Sequence, residues 1–298
     1  MNLAGSITAL ITPFKNGKVD YKALQANIDY QIMNGTSGIV PCGTTGESPT
    51  LDNDEHKKVI SESVRFAKGR VPVIAGTGSN CTKEAVNLTK HAKKCGANAS
   101  LSVVPYYNKP TQKGLYEHFK QIAQESRFPI VLYNIPGRSA AGLTLDTIVK
   151  LSHVPGITAI KEATGSVEMA SEIARRTNLT ILSGDDALTL PLLSVGAVGV
   201  ISVFSNVFPS VLPAMIHAFN RGDTHEARRI HESIYTLCKT LFIETNPIPV
   251  KAAMKLLGKD SGEVRLPMSV IEKDHLATLK KELVSYIKSA NLRGVSVK

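Results

Sequence analysis

The sequence is poor in cysteine, and its four cysteines form no C-x-x-C pair. They are Cys42, Cys81, Cys95 and Cys238. This scattering argues against both a disulfide framework and a zinc site, and it is typical of a protein in a reducing compartment. The eight histidines include no H-E-x-x-H motif. The sequence therefore predicts no metal.

Long apolar runs are also missing. No window approaches the roughly 18 consecutive apolar residues that a membrane-spanning helix needs. The first residues, MNLAGSITALITPF, lack the basic start and the long apolar stretch of a signal peptide. These two absences predict a soluble cytoplasmic protein without a membrane partner.

Tryptophan is absent, whereas positive charge is in excess: 35 Lys and Arg against 25 Asp and Glu give a net charge of +10. The lysines are interleaved with acids, as in KDHLATLKKELVSYIK, and no basic run carries interleaved aromatic residues. This pattern argues against nucleic-acid binding. It favours a solvated basic surface that attracts small anionic substrates.

What the chain does contain is a repeated rhythm of short apolar runs and segments with helical periodicity. The runs are residues 6–11, 38–41, 71–76, 100–105, 130–135, 157–161, 179–184 and 198–203. Eight strands, each followed by a helix, predict an α/β fold with a closed parallel (β/α)8 TIM barrel. An open doubly wound sheet is the alternative, but the chain has no Walker loop, and GTGSN lacks the third glycine of the dinucleotide motif.

The strand-like runs stop after residue 223, and three further helical segments follow. We therefore predict a catalytic barrel over residues 1–223 and a C-terminal three-helix extension over residues 224–298 that serves packing or assembly.

One charged residue stands out, because the apolar run ITAI ends in Lys161. Side chains alternate along a strand, so Ile157, Ala159 and Lys161 are expected on one face. Tyr133 ends the preceding run and is expected beside Lys161, because adjacent strands lie about 4.8 Å apart. A lysine at a strand end can simply reach solvent. A confined amine, in contrast, loses its proton more readily and can form a Schiff base with a ketone.

Other residues at the carboxyl ends of the strands suit an anionic substrate. The turn GTTGE (43–47) offers hydroxyls and backbone amides for a carboxylate. The guanidinium of Arg138 suits a second carboxylate. Each also has an ordinary interpretation, as a common turn and as a solvated side chain.

Six motifs together resemble one family, the dihydrodipicolinate synthases, also called 4-hydroxy-tetrahydrodipicolinate synthases. The motifs are GTTGES, PYYNKP, YNIPGR, IKEATG, SGDDA and NPIPVKAA. The resemblance runs from about residue 3 to residue 290 and so covers nearly the whole chain. The wider superfamily of pyruvate-dependent Schiff-base aldolases shares the G-x-T-G-E turn and the lysine on the sixth strand.

The resemblance implies a role for each matching catalytic residue. Lys161 would form the Schiff base with pyruvate, and Tyr133 would transfer protons at that centre. Thr44 would link Tyr133 to Tyr107, which the family contributes across a tight dimer interface. The lysine itself would be the covalent group, so no cofactor is expected.

The resemblance also implies the substrates and their binding residues. Thr45 would hold the pyruvate carboxylate, Arg138 would bind L-aspartate 4-semialdehyde, and Val203 would contact substrate. The implied enzyme is a lyase at the first committed step of diaminopimelate and lysine biosynthesis, usually a homotetramer of tight dimers.

Feedback inhibition by L-lysine is a further implication. The residues that match the family's lysine-binding cleft are Ser48, His56, Asn80, Glu84 and Tyr106. Tyr106 adjoins Tyr107, which gives a short route from effector to proton relay.

Two alternatives remain at this stage. One is a sister aldolase acting on sugar-derived keto acids, such as N-acetylneuraminate lyase. The other is a barrel that has become a non-enzymatic binding protein.

Overall fold

The structure is a barrel of eight parallel strands, seen in a computed structural model that describes residues 3–292 and 294–298. The strands are β1 (Gly5–Ala9), β2 (Gly38–Val40), β3 (Ile74–Gly76), β4 (Ala99–Val103), β5 (Ile130–Asn134), β6 (Ile157–Glu162), β7 (Thr180–Ser183) and β8 (Gly199–Ser202). Their order around the sheet is β2-β1-β8-β7-β6-β5-β4-β3. A bridge between Ile39 and Val73 joins the two ends. The predicted barrel is confirmed.

Every barrel strand is followed by a helix, and three helices come after the last barrel unit. The helices are α1 (Tyr21–Met33), α2 (Asn53–Ala67), α3 (Thr82–Lys94), α4 (Gln112–Ser126), α5 (Pro136–Ser139), α6 (Leu145–Ser152), α7 (Val167–Arg176), α8 (Thr189–Leu193), α9 (Val211–Asn220), α10 (Thr224–Thr240), α11 (Ile248–Leu256) and α12 (Lys273–Ser289). Short 3-10 helices lie at Ser48–Thr50, Asp186–Leu188 and Phe204–Asn206. None of the helices within the described ranges is long and apolar enough to cross a membrane.

The observed strands are shorter than several predicted runs. The strand within the run 6–11 ends at Ala9, and Leu10 and Ile11 lie in the loop that follows, where both side chains are buried. A two-stranded antiparallel hairpin, Phe14–Lys15 with Lys18–Val19, was not predicted. Its strands of two residues are too short to show a period.

The alternation predicted for the sixth strand holds only in part. Ala159 packs in the cluster inside the barrel, but Ile157 packs in the cluster between sheet and helices. A register shift between Ile130 and Val131 places Ile157 opposite Ile130 and Ala159 opposite Val131. The expectation was therefore wrong for Ile157, because the irregularity reverses the direction of the side chain.

The C-terminal helices share a hydrophobic core with the barrel. Phe204 and Phe208, which follow β8, pack against Tyr286 of α12, and the ring centroids of Phe208 and Tyr286 lie 4.9 Å apart. Leu237 of α10 and Leu283 of α12 belong to the same cluster. The division into domains at residue 223 stays a prediction.

Candidate active site

Lys161 lies near the carboxyl end of β6 with its side chain enclosed. The residue is 5% exposed, and it stands directly opposite Tyr133 of β5 in the strand register. Its Nζ lies 4.1 Å from the centroid of the Tyr133 ring. Among the described residues no carboxylate lies within ion-pair distance of this amine. Two residues earlier on β6, Ala159 packs in the cluster inside the barrel.

The turn after β2 presents free backbone donors at the same end of the barrel. The backbone N–H groups of Thr44 and Thr45 donate to no residue in the described ranges, whereas those of Gly46 and Glu47 close the turn onto Gly43 and Thr44. Successive free N–H groups in a turn form a concavity that binds anions. The geometry of the turn therefore suits a carboxylate, and carboxylate binding by Thr45 stays a prediction.

The turn fits closely against β3. A Cβ atom on Gly76 would lie 2.2 Å from the carbonyl oxygen of Cys42. Only a residue without a side chain allows β3 and the turn to approach in this way. The close approach leaves a small cavity lined by Thr44 and Tyr133, together with Gly76, Gly78 and Leu101.

Asn246, in the segment before α11, joins two of the predicted substrate-binding residues. Its side-chain NH2 group donates to Thr45 Oγ1 at 3.0 Å, and its backbone carbonyl oxygen accepts from the Arg138 guanidinium at 3.1 Å. Thr45 is buried and Arg138 is exposed. The two residues proposed to bind carboxylates are thus connected through one residue of the C-terminal region.

Two predicted residues stand apart from this cavity. Tyr107 is 88% exposed and has a left-handed backbone with a φ of 72°. Within the described chain it does not reach Thr44 or Tyr133. Val203 is buried just after β8, where its backbone N–H donates to the Asp186 carboxylate at 3.0 Å. Burial raises the pKa of that carboxyl group, although these backbone hydrogen bonds oppose the shift.

A second cavity, of about 130 Å³, adjoins the first. Its lining includes four of the five residues predicted to bind L-lysine, namely Ser48, His56, Glu84 and Tyr106. The fifth, Asn80, donates to the carbonyl oxygen of Tyr106 at 3.2 Å. Ser48 and Gly78 line both cavities, so a single wall separates them.

The electrostatics of the second cavity favour an amine. Glu84 is exposed at its edge and accepts a hydrogen bond from Ser79. Burial raises the pKa of Tyr106, and the Glu84 carboxylate adds to the shift. Burial lowers the pKa of His56, whose Nε2 lies 2.7 Å from the carbonyl oxygen of Gly76. The charged group offered to a ligand here is therefore a carboxylate.

Sequence reasoning missed a buried ion pair behind the turn. Lys251 of α11 contacts the carboxylate of Glu47 at 2.6 Å, and both side chains are closed to solvent. Lys251 stands inside the apolar stretch IPVKAAM, just as Lys161 follows the apolar run ITAI. The same pattern could therefore have been used to predict that Lys251 is buried. The partner, Glu47, could not have been found, because it lies 204 residues away.

The fold and the geometry define a class: a (β/α)8 barrel with a buried lysine amine that has no carboxylate partner among the described residues, and a turn with free backbone N–H groups at the same end. These are the features that covalent catalysis by an amine uses. A sequence model of the Dihydrodipicolinate synthetase family matches residues 2–286. The 4-hydroxy-tetrahydrodipicolinate synthase of Aquifex aeolicus is 53% identical over 285 residues, which are 95% of this chain and 97% of that protein.

Solved structures agree with this result. The crystal structure of dihydrodipicolinate synthase from Aquifex aeolicus superposes with a TM-score of 0.95 at 50% identity, covering 99% of this chain and 100% of that one. The enzyme from Cyanidioschyzon merolae, solved with lysine bound, gives a TM-score of 0.93 at 42% identity, covering 95% and 98%. The chain belongs to the dihydrodipicolinate synthetase family, as its motifs predicted.

Proposed function

We propose that the protein condenses pyruvate with L-aspartate 4-semialdehyde to give 4-hydroxy-tetrahydrodipicolinate, the first committed step of diaminopimelate and lysine biosynthesis. It is a lyase, like the relatives to which it is similar. The observation that carries the mechanism is the enclosed amine of Lys161, which has no carboxylate partner in the described chain and faces the Tyr133 ring.

The amine is positioned for covalent catalysis. Neutral Lys161 attacks the ketone carbon of pyruvate to form a carbinolamine, and loss of water gives an iminium ion. The iminium withdraws electrons, so the methyl carbon loses a proton and becomes an enamine. The enamine carbon then attacks the aldehyde carbon of the second substrate. Finally, the amino group of that substrate closes the ring and displaces Lys161.

The neighbouring groups supply protons and hold the carboxylates. Tyr133 transfers protons at the reacting carbon, because its ring already lies against the amine. The free N–H groups at Thr44 and Thr45, with the Thr45 hydroxyl, bind the pyruvate carboxylate. Arg138 binds the carboxylate of the semialdehyde at the entrance. The lysine is the covalent group, and we propose that the reaction needs no metal or other cofactor.

Tyr107 requires a second subunit in this proposal. A tyrosine that is 88% exposed, with a left-handed backbone, contributes nothing to its own cavity. Placed across a two-fold interface, it reaches Thr44 of the partner and completes the relay with Tyr133. We therefore propose a tight dimer, paired into a homotetramer, in the cytoplasm.

The second cavity is proposed as an inhibitory L-lysine site. The Glu84 carboxylate pairs with one amine of the ligand, while Asn80 and Tyr106 bind its carboxylate and α-amine. The wall of Ser48 and Gly78 that the two cavities share gives a physical path from effector to catalytic turn.

Millimolar L-lysine should lower the activity, and Glu84→Ala should relieve inhibition without abolishing turnover. Full activity at tens of millimolar lysine would contradict this regulatory role.

A coupled assay tests the reaction itself. Turnover should require both pyruvate and L-aspartate 4-semialdehyde, and N-acetylneuraminate should not be cleaved. Cleavage of the sugar acid without condensation would instead identify a sister aldolase.

Borohydride with pyruvate should add one reduced three-carbon group at Lys161, and an adduct on another lysine would contradict the mechanism.

A further inference from the structure

Glu47 carries a negative charge in the turn that is proposed to bind a carboxylate. It lies two residues after Thr45, and its side chain is 1% exposed. Its backbone is left-handed, with a φ of 54°. A buried carboxylate beside an anion site would repel the substrate, because charges interact strongly where water is excluded.

Lys251 cancels that charge. Its Nζ donates to Glu47 Oε1 at 2.6 Å and to the carbonyl oxygen of Thr12 at 2.8 Å, and it lies 4.2 Å from the centroid of the Phe14 ring. The second carboxylate oxygen of Glu47 accepts from the backbone N–H of Arg265 at 3.1 Å. Both oxygens are thus occupied by groups from the C-terminal region.

Stability does not by itself account for this pair. Replacing a buried ion pair with apolar residues of similar volume is often neutral or stabilising. Other hydrogen bonds already hold the turn in place. The Thr12 hydroxyl donates to the carbonyl oxygen of Gly46 at 2.7 Å, and the Asn246 side chain donates to the Thr45 hydroxyl. The particular contribution of Lys251 is its charge.

We infer that Lys251 is a positioning residue for pyruvate: by neutralising Glu47, it makes the turn over residues 43–47 able to accept the substrate carboxylate. This inference rests on the proposed function. It assigns part of the active site to α11, on the C-terminal side of the predicted domain boundary at residue 223. Because Lys251 acts through Glu47, its effect should depend on whether Glu47 is charged.

Three variants separate charge from packing: Lys251→Met, Glu47→Gln and the double variant. The measurement is the pyruvate concentration that half-saturates borohydride trapping on Lys161, followed by mass spectrometry. Lys251→Met leaves Glu47 unbalanced and should raise that concentration about tenfold or more. Glu47→Gln and the double variant carry no negative charge there and should stay within about threefold of wild type. The rate of trapping at saturating pyruvate should change less than the half-saturation.

Leu283→Ala is the matched control, because Leu283 is fully buried in the C-terminal core cluster, which contains no residue of the turn. Lys251→Met binding pyruvate as well as Leu283→Ala would overturn the inference. A tenfold loss in Glu47→Gln or in the double variant would overturn it too, even if Lys251→Met failed to fold. Absence of any adduct in the wild type would instead contradict the proposed function.

Discussion

Two lysines in this chain, Lys251 and Lys161, lie in apolar stretches of sequence and are buried, but only Lys251 has a carboxylate partner among the described residues. Lys251 has a carboxylate at 2.6 Å, a carbonyl oxygen at 2.8 Å and no exposure. Lys161 faces the ring of Tyr133, and no carboxylate of the described chain pairs with it. An amine bonded to a buried carboxylate is held in place, whereas an amine without a carboxylate partner remains free to contact a substrate.

The difference lies in what surrounds each amine. Burial lowers the pKa of Lys251, but the adjacent Glu47 carboxylate opposes this shift and favours the ammonium. Lys161 stands between Tyr133 of β5 and Leu182 of β7 in the strand register, and neither residue carries a charge. The comparison teaches that burial alone does not identify a catalytic lysine. What distinguishes the proposed catalytic lysine is that no carboxylate of the described chain pairs with it.

The sharpest test of the comparison replaces Lys161. Lys161→Met should lower turnover by about 10⁴-fold or more, because the covalent intermediate cannot form. Its free energy of unfolding should stay equal or rise, since an amine without a partner is costly to bury. The coupled assay and urea denaturation give the two values. Retained turnover would remove Lys161 from the mechanism.

Lys251→Met should do the reverse to stability. It leaves Glu47 buried without a partner and should lower the free energy of unfolding by about 3–5 kcal/mol. Glu47→Gln with Lys251→Met should recover most of that loss, because neither charge then remains. Equal stability of the Lys161→Met and Lys251→Met variants in urea denaturation would break the comparison between the two lysines.

His118 shows a third way to bury a basic group, which is to keep it neutral. It is 6% exposed, its Nδ1 lies 2.9 Å from Thr82 Oγ1, and its Nε2 has no partner within the described residues. Burial lowers the pKa of His118 to about 4. The folded chain therefore resists protonation that the unfolded chain accepts.

The stability from this effect is fully present above pH 6.5 and is lost as the pH falls towards 4. The loss should reach about 3 kcal/mol at most. His118→Gln should flatten this part of the pH profile of urea unfolding, with His225→Gln, on the exposed side of α10, as its control. An unchanged profile in His118→Gln would show that another group controls acid sensitivity.

The smallest effect concerns the aromatic groups near Lys161. Tyr133→Phe and Tyr107→Phe should each lower turnover by about 10²-fold, the scale of one positioned acid–base group. Because Tyr107 is exposed in its own chain, mixing the two variants should restore some activity in hybrid dimers. Hybrids that are as inactive as the parents would mean that Tyr107 does not act across an interface.

Periodicity was enough to predict the barrel, since each of the eight runs overlaps an observed strand. It failed at Ile157, where a register shift reversed one side chain, and at the hairpin near Phe14, which is too short to have a period. Lys161 and Tyr133 could be predicted as neighbours, because consecutive parallel strands end at the same edge. Their opposition in the register confirms this.

The sequence by itself determined the local pattern: strand and helix order, the glycine-flanked turn after β2, and the lysine near the carboxyl end of β6. These follow from side-chain periodicity and backbone preference, which act over a few residues. Only the tertiary structure decided which buried lysine has a partner. The contacts of Asn246, Lys251 and Arg265 with the turn span 201 to 218 residues. No local pattern encodes such contacts, because they exist only once the closed barrel and the C-terminal region pack together.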